Sequence, residues 1–162
     1  MILVAGAIMQ AQVAIGKSDI QGSSLLDFAA GTTKGIILPK VTTLPTGAAA
    51  TNGTILIDAS TKASSKVVMR VNGAWQDMSD AQDLSALTFN SSPEVTKGAI
   101  IGAYTSAAEG VLVLESSSKA LTLPKVSNTE TDVKSPTAGM MCYDLASKCL
   151  AVFDGVKWNY WK

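Results

Sequence analysis

Cys142 and Cys149 are the only two cysteines of the chain, and their spacing is its sharpest chemical signal. They flank Tyr143-Asp144-Leu145-Ala146-Ser147-Lys148, a stretch that should turn between two strands. A two-residue turn at Leu145-Ala146 would pair 144 with 147, 143 with 148 and 142 with 149. Both sulfurs would then lie opposite each other on one face, within disulfide reach. Closing so short a loop would stabilise the fold by roughly 2.5 kcal/mol in the chain-entropy view. The competing arrangement is a slipped register holding two small buried thiols, because Leu-Ala is poor turn chemistry. The spacing is not C-x-x-C, so no redox catalysis is expected.

A second group is aromatic: Trp158, Tyr160 and Trp161 close the sequence. On a strand, Trp158 and Tyr160 share a face and Trp161 takes the other. One face should fill a small core, as Trp75 would earlier in the chain. The other offers a platform for a sugar ring or a partner subunit. A third group is acidic. Asp58 and Asp144 close matching strands, and Asp77 and Asn159 follow the tryptophans. Paired carboxylates could act as general acid and base. An Asp closing a strand more often bonds its own backbone as a turn former. Histidine is absent, which removes His-dependent triads and most metal sites. G-x-S-x-G, G-x-G-x-x-G, P-loop and D-x-D-x-D-G patterns are missing as well. The expectation is a non-enzyme with no catalytic residue, metal or cofactor.

These side chains must be held by strands. Thirteen basic and thirteen acidic residues leave a net charge of zero, unsuited to a nucleic-acid partner. Charged residues make only 16% of the chain, a composition that points to a folded, β-rich, extracellular protein. Residues 1–11 open with the apolar run MILVAGAIM and read as a signal-peptide remnant, with an apolar β-strand as the alternative. The run is too short to span a bilayer, which needs about 20 residues.

The remainder repeats itself. Ala14-Ile15-Gly16 returns as Ile100-Ile101-Gly102, and Ser24-Leu25-Leu26-Asp27-Phe28 as Gly110-Val111-Leu112-Val113-Leu114. Lys34-Gly35-Ile36-Ile37-Leu38-Pro39-Lys40-Val41 answers to Lys119-Ala120-Leu121-Thr122-Leu123-Pro124-Lys125-Val126. Gly53-Thr54-Ile55-Leu56-Ile57-Asp58 answers to Gly139-Met140-Met141-Cys142-Tyr143-Asp144, and Asn72-Gly73-Ala74-Trp75 to Asp154-Gly155-Val156-Lys157-Trp158. The chain divides into repeat 1 (12–78), a linker (79–97) and repeat 2 (98–162). Asn72-Gly73 and Asp154-Gly155 favour the positive φ angles of a type I′ hairpin turn. Each repeat should therefore end in a three-stranded antiparallel meander. Only Asp80 to Leu87 hints at a helix. The expected fold is all-β: two tandem small antiparallel modules, each a meander plus added strands, sandwich- or barrel-like, joined by a short linker.

The order AIG…SSLLDF…TTKGIILPKVTT…NGTILID…VNGAW resembles a repeat of secreted and tail-fibre-like surface proteins of the Bacteroidetes. The second copy, IIG…GVLVLESSSKALTLPKV…SPTAGMMCYDLASKCLAVFDGVKW, is similar to the same pattern. Lys40 and Lys125 stand where that pattern carries a second proline followed by an arginine. The resemblance implies a surface or fibre building block without catalytic activity. Export would bring oxidising surroundings and favour the Cys142–Cys149 disulfide.

Two functions follow as expectations. The first is a secreted structural protein, a subunit or segment of a cell-surface filament or fibre. It would be sustained by strand pairing between copies of itself, because a unit this small buries too little alone. The second is a polysaccharide-binding adhesin module acting through exposed aromatics. A prophage tail-fibre component is a further alternative.

Overall fold

A computed structural model describes residues 12–20, 22–89, 92 and 98–162. The segment read as a signal-peptide remnant lies outside them, as does part of the linker. The chain is all-β apart from short helical turns. Its strands are β1 (Val13–Ile15), β2 (Ser24–Phe28), β3 (Ile36–Ile37), β4 (Lys40–Val41), β5 (Ile55–Asp58), β6 (Lys66–Val71) and β7 (Ala74–Asp77). The same order follows as β8 (Ala99–Ile101), β9 (Leu112–Leu114), β10 (Ala120–Leu121), β11 (Lys125–Val126), β12 (Met140–Asp144), β13 (Cys149–Phe153) and β14 (Trp158–Trp161).

The back halves fold alike. β4-β5-β6-β7 form one sheet and β11-β12-β13-β14 another, each with its first strand parallel and the remaining three an antiparallel meander. The turn between β6 and β7 is the expected two-residue type, with Asn72 at φ 49° and Gly73 at φ 75°. The turn between β13 and β14 differs. Phe153 pairs with Trp158, so four residues intervene, and Asp154 accepts hydrogen bonds from the N–H groups of Val156 and Lys157, both 2.9 Å. The carboxylate closes the loop that a backbone pair closes in the first copy.

The expectation of two separate antiparallel modules needs correction. β1–β2, β8–β9 and β10–β2 are parallel. The copies also exchange strands: β10 of the second adds to β2 of the first, and β3 of the first pairs with β12 of the second. The result is a solenoid-like stack. The reason is burial, since two- and three-residue strands cannot cover a core within one copy. The main core accordingly mixes Leu38, Ile57, Val67, Met78 and Leu84 with Ala138, Met141 and Val152.

The hint of a helix at Asp80 to Leu87 is also corrected. Gln82 makes an isolated antiparallel bridge to Ser65, and Leu84 is buried in the main core. Among the described residues the one short α-helix is α1 (Thr129–Asp132), whose Asn128 side chain accepts from the N–H groups of Glu130 and Thr131. Among the described residues no helix is long and apolar enough to cross a membrane.

Candidate functional site

The cysteines sit in the C-terminal sheet, but not as the disulfide geometry requires. Cys142 pairs with Ala151 and Cys149 with Asp144, a register two residues away from the expected one. Both are free thiols. The cause is the turn. Asp144 accepts from the Ser147 N–H at 2.6 Å, and Lys148 takes the left-handed conformation at φ 58°, so Leu145–Lys148 form a four-residue loop. A shift of two keeps every side chain on its face while moving the sulfurs from opposite to diagonal positions. Burial, aided by the Asp144 charge, pushes the Cys142 thiol up to about 12. It is chemically quiet.

The carboxylates are turn builders. Asp144 is buried and also accepts from the Thr129 N–H at 2.8 Å. Burial works to raise its pKa, but the hydrogen bonds from Ser147 and Thr129 win, and it lies below the ordinary carboxylate value. Asp58 accepts from the Ser60 N–H at 2.9 Å. Asp154 is held by two backbone N–H groups and by the Asn159 amide at 2.7 Å. Asp58 and Asp154 are committed to turns, while Asp144 closes its own turn with one oxygen and holds the first residue of α1 with the other.

The terminal aromatics split between the two faces of β14. Trp158 is 8% exposed and packs on Phe153, ring centroids 5.4 Å apart, inside a second core with Val126, Val133, Met140, Cys142 and Ala151. It is a core residue, which corrects its reading as a ligand or subunit contact. Trp161 lies half-buried against the main core. Tyr160 remains exposed, with its hydroxyl 2.7 Å from Thr129 Oγ1 and donating to Glu130 at 3.0 Å. Burial raises the Tyr160 phenol to about 12, and Glu130 adds to the effect. Tyr160 and Trp161 border a shallow groove of about 550 Å³ that also holds Lys66, Asp77 and Asp80. Trp75, unlike Trp158, does not fill a core. It is half-buried, with the Arg70 guanidinium 5.4 Å from its ring.

Sequence reasoning passed over the apolar strand residues left in solvent. Val111 is 76% exposed, Leu112 44% and Ile37 50%. Leu112 and Ile37 lie on short strands and Val111 directly precedes β9, all at the edges of the stack, where exposed apolar surface marks an interface. The repeat itself held the signal. Val111 and Leu112 occupy the positions of Leu25 and Leu26, each only 3% exposed.

Residues 100–162, which run from within β8 to the chain's last residue, match the profile of a family described as a phage tail like trimerisation region. No curated protein and no solved structure matches the chain.

Proposed function

We propose that the chain is a non-enzymatic structural subunit of an extracellular fibre or filament, assembled from copies of itself by β-strand pairing. The observation that carries this reading is the exchange of strands between the two repeats, β10 onto β2 and β3 onto β12. The unit completes itself by adding strands to a neighbouring unit. The similarity of residues 100–162 to a phage tail like trimerisation region supports self-association, with a trimer as the expected order. The exposed apolar edges at Ile37, Val111 and Leu112 support it further. A place at the cell surface and membership of the Bacteroidetes surface-repeat group belong to the same proposal, as does descent from a tail fibre.

Light scattering on the purified chain tests it. The expected mass is three times the 16.8 kDa chain or a larger multiple, and a monomer at micromolar concentration would refute the reading. Because strand pairing rather than charge holds the assembly, it should survive about 1 M salt, where charge interactions are screened within roughly 3 Å.

A further inference from the structure

We propose that a second copy of this chain docks head to tail on the first. Its N-terminal repeat would lie against the first chain's C-terminal repeat through the strand additions that already join the two repeats internally. This deepens the self-assembly reading above and rests on it.

The internal joint shows what each end lacks. Within the chain, Ile36 pairs with Met141, Ile37 with Met140, and the Leu38 N–H donates to the Gly139 carbonyl at 2.9 Å. The equivalent acceptor edge in the first repeat is Gly53-Thr54-Ile55, and its local geometry is the same. The Gly53 N–H donates to Arg70 as the Gly139 N–H does to Phe153. The Thr54 N–H donates to Thr51 as the Met140 N–H does to Thr137. β6 occupies one edge of this stretch, but on the other edge β4 covers only Ile57 and Asp58, and no described strand continues it past Ile55 and Thr54.

The matching donor is Leu121-Thr122-Leu123, the counterpart of Ile36-Ile37-Leu38. The N–H groups of Ala120 and Thr122 donate to Ser23, just before β2, and to Leu26 on β2, at 3.2 and 3.0 Å. Polar groups of successive strand residues point to opposite edges. The main-chain groups of Leu121 therefore point away from β2, as those of Ile36 point to Met141.

A second contact falls at the same joint. β2 carries β1 on one edge and β10 on the other, whereas among the described residues β9 carries β8 alone. Leu25 and Leu26 are each 3% exposed, while their counterparts Val111 and Leu112 are 76% and 44% exposed. The strand that would complete β9 is the β3 of an incoming chain, which brings Ile37, itself 50% exposed. In one joint, β3 of the second chain adds to β9 of the first, and Leu121–Leu123 of the first add to β5 of the second. The interface is heterologous, so it closes into a ring or propagates into a fibre according to its rotation.

The test is disulfide trapping in the full chain carrying both Thr54→Cys and Thr122→Cys. These positions are the counterparts of the directly opposed Met140 and Ile37. Oxidation should give covalent multimers linked between positions 54 and 122, identified by peptide mass, and neither single variant should give more than a dimer. No multimers, or links joining only like positions, would overturn the proposal. Light scattering on the unmodified chain separates the two readings. An assembled chain without 54–122 links loses this joint alone, and a monomeric chain loses both. Val111→Glu provides a second probe, since that side chain is already in solvent within one chain. Its melting curve in dilute monomer should match the parent's while the assembled mass falls, and an unchanged mass would also overturn the joint.

Discussion

Trp75 and Trp158 hold equivalent places in the two repeats, but the first is half-buried and the second lies in a core. The difference comes from what stands opposite. Trp158 faces Phe153, and Trp75 faces Arg70. Phe153 joins the apolar cluster, whereas Arg70 brings a charged guanidinium that lies over the indole ring with its Nε buried and, among the described residues, without a hydrogen-bond partner. The covering loops act in the same direction. The short helical turn Gly47–Ala50 buries no residue, while α1 and its flank bury Thr129 and Val133 against the second sheet. A repeated strand pattern thus fixes where a side chain lies along the sheet, and its cross-strand partner and the loop above decide whether that place is dry.

Removing the two rings should break the repeats' likeness most. Trp158→Ala empties a packed core and should cost about 3–5 kcal/mol, whereas Trp75→Ala should cost nearer 1 kcal/mol through the lost cation–π contact and partial burial. Urea denaturation of both variants checks this. Equal losses would mean that Trp75 is as buried in the assembled protein as Trp158 is here.

The two hairpin glycines should separate next. A Cβ at Gly73 would meet nothing within 4 Å, and the cost of Ala there is the positive φ of 75° alone, about 1 kcal/mol. At Gly155, φ is 113° and a Cβ would meet Leu84 Cδ2 at 2.6 Å and Ala138 Cβ at 3.3 Å. Gly155→Ala should therefore cost about 2–3 kcal/mol, strain and overpacking together. Thermal melts of the pair give the ordering, and the reverse ordering would contradict the packing of Leu84 under the second hairpin.

Alkaline pH should act mainly through the second repeat. Cys142 and Tyr160 both have folded pKa values raised to about 12, each chiefly by burial. A raised pKa keeps its full stabilisation below the unfolded values, about 8.5 and 10, and loses it as pH climbs toward the folded ones. Unfolding free energy should fall as pH rises from about 9, first through Cys142. A smaller decline is added above about 10, because Tyr160 is 38% exposed and solvent damps its share. Leu56 and Asp77 stand at the equivalent places and bring no thiol or phenol. Cys142→Ala should remove the earlier limb of the decline. On the acid side Asp144 has the opposite sign: its lowered pKa stabilises above about pH 4 and that support is lost as pH falls through the folded value.

The all-β fold and both meanders were legible because alternation and Asn72-Gly73 act locally. Three features were not. The four-residue loops at Leu145–Lys148 and Asp154–Lys157 are set by carboxylates bonding backbone N–H groups two or three residues ahead, and Asp-Gly alone does not reveal that choice. The strand exchange is carried by two-residue strands, too short for any periodicity, with Ile36 finding Met141 across most of the chain. Leu84 misled toward a helix because its apolar side chain serves a distant core rather than a helical face. The apolar edges that mark the proposed joint were written in the repeat, and only the unequal burial of Leu26 and Leu112 brings them out.

The smallest effects should come from charge. Lys66 meets Asp77 at 2.5 Å within the first sheet, and Lys157 meets Asp80 at 2.6 Å, tying the segment after the first repeat to the second hairpin. The partners raise both lysines and lower Asp80, so each pair contributes between the acid and alkaline extremes and is lost beyond them. Asp77, Lys157 and Asp80 are more than half exposed and Lys66 is 37% exposed, so water screens the attraction and holding two long chains together costs entropy. Asp80→Asn and Lys66→Gln should each shift the melting midpoint less than Gly73→Ala, and the residue of the shift should vanish in about 1 M salt. An Asp80→Asn loss as large as that of Gly155→Ala would show that the segment after the first repeat is clamped by charge. The burial of Leu84 against Ala138 argues for the opposite, that apolar contact holds the segment and the ion pair only trims its position.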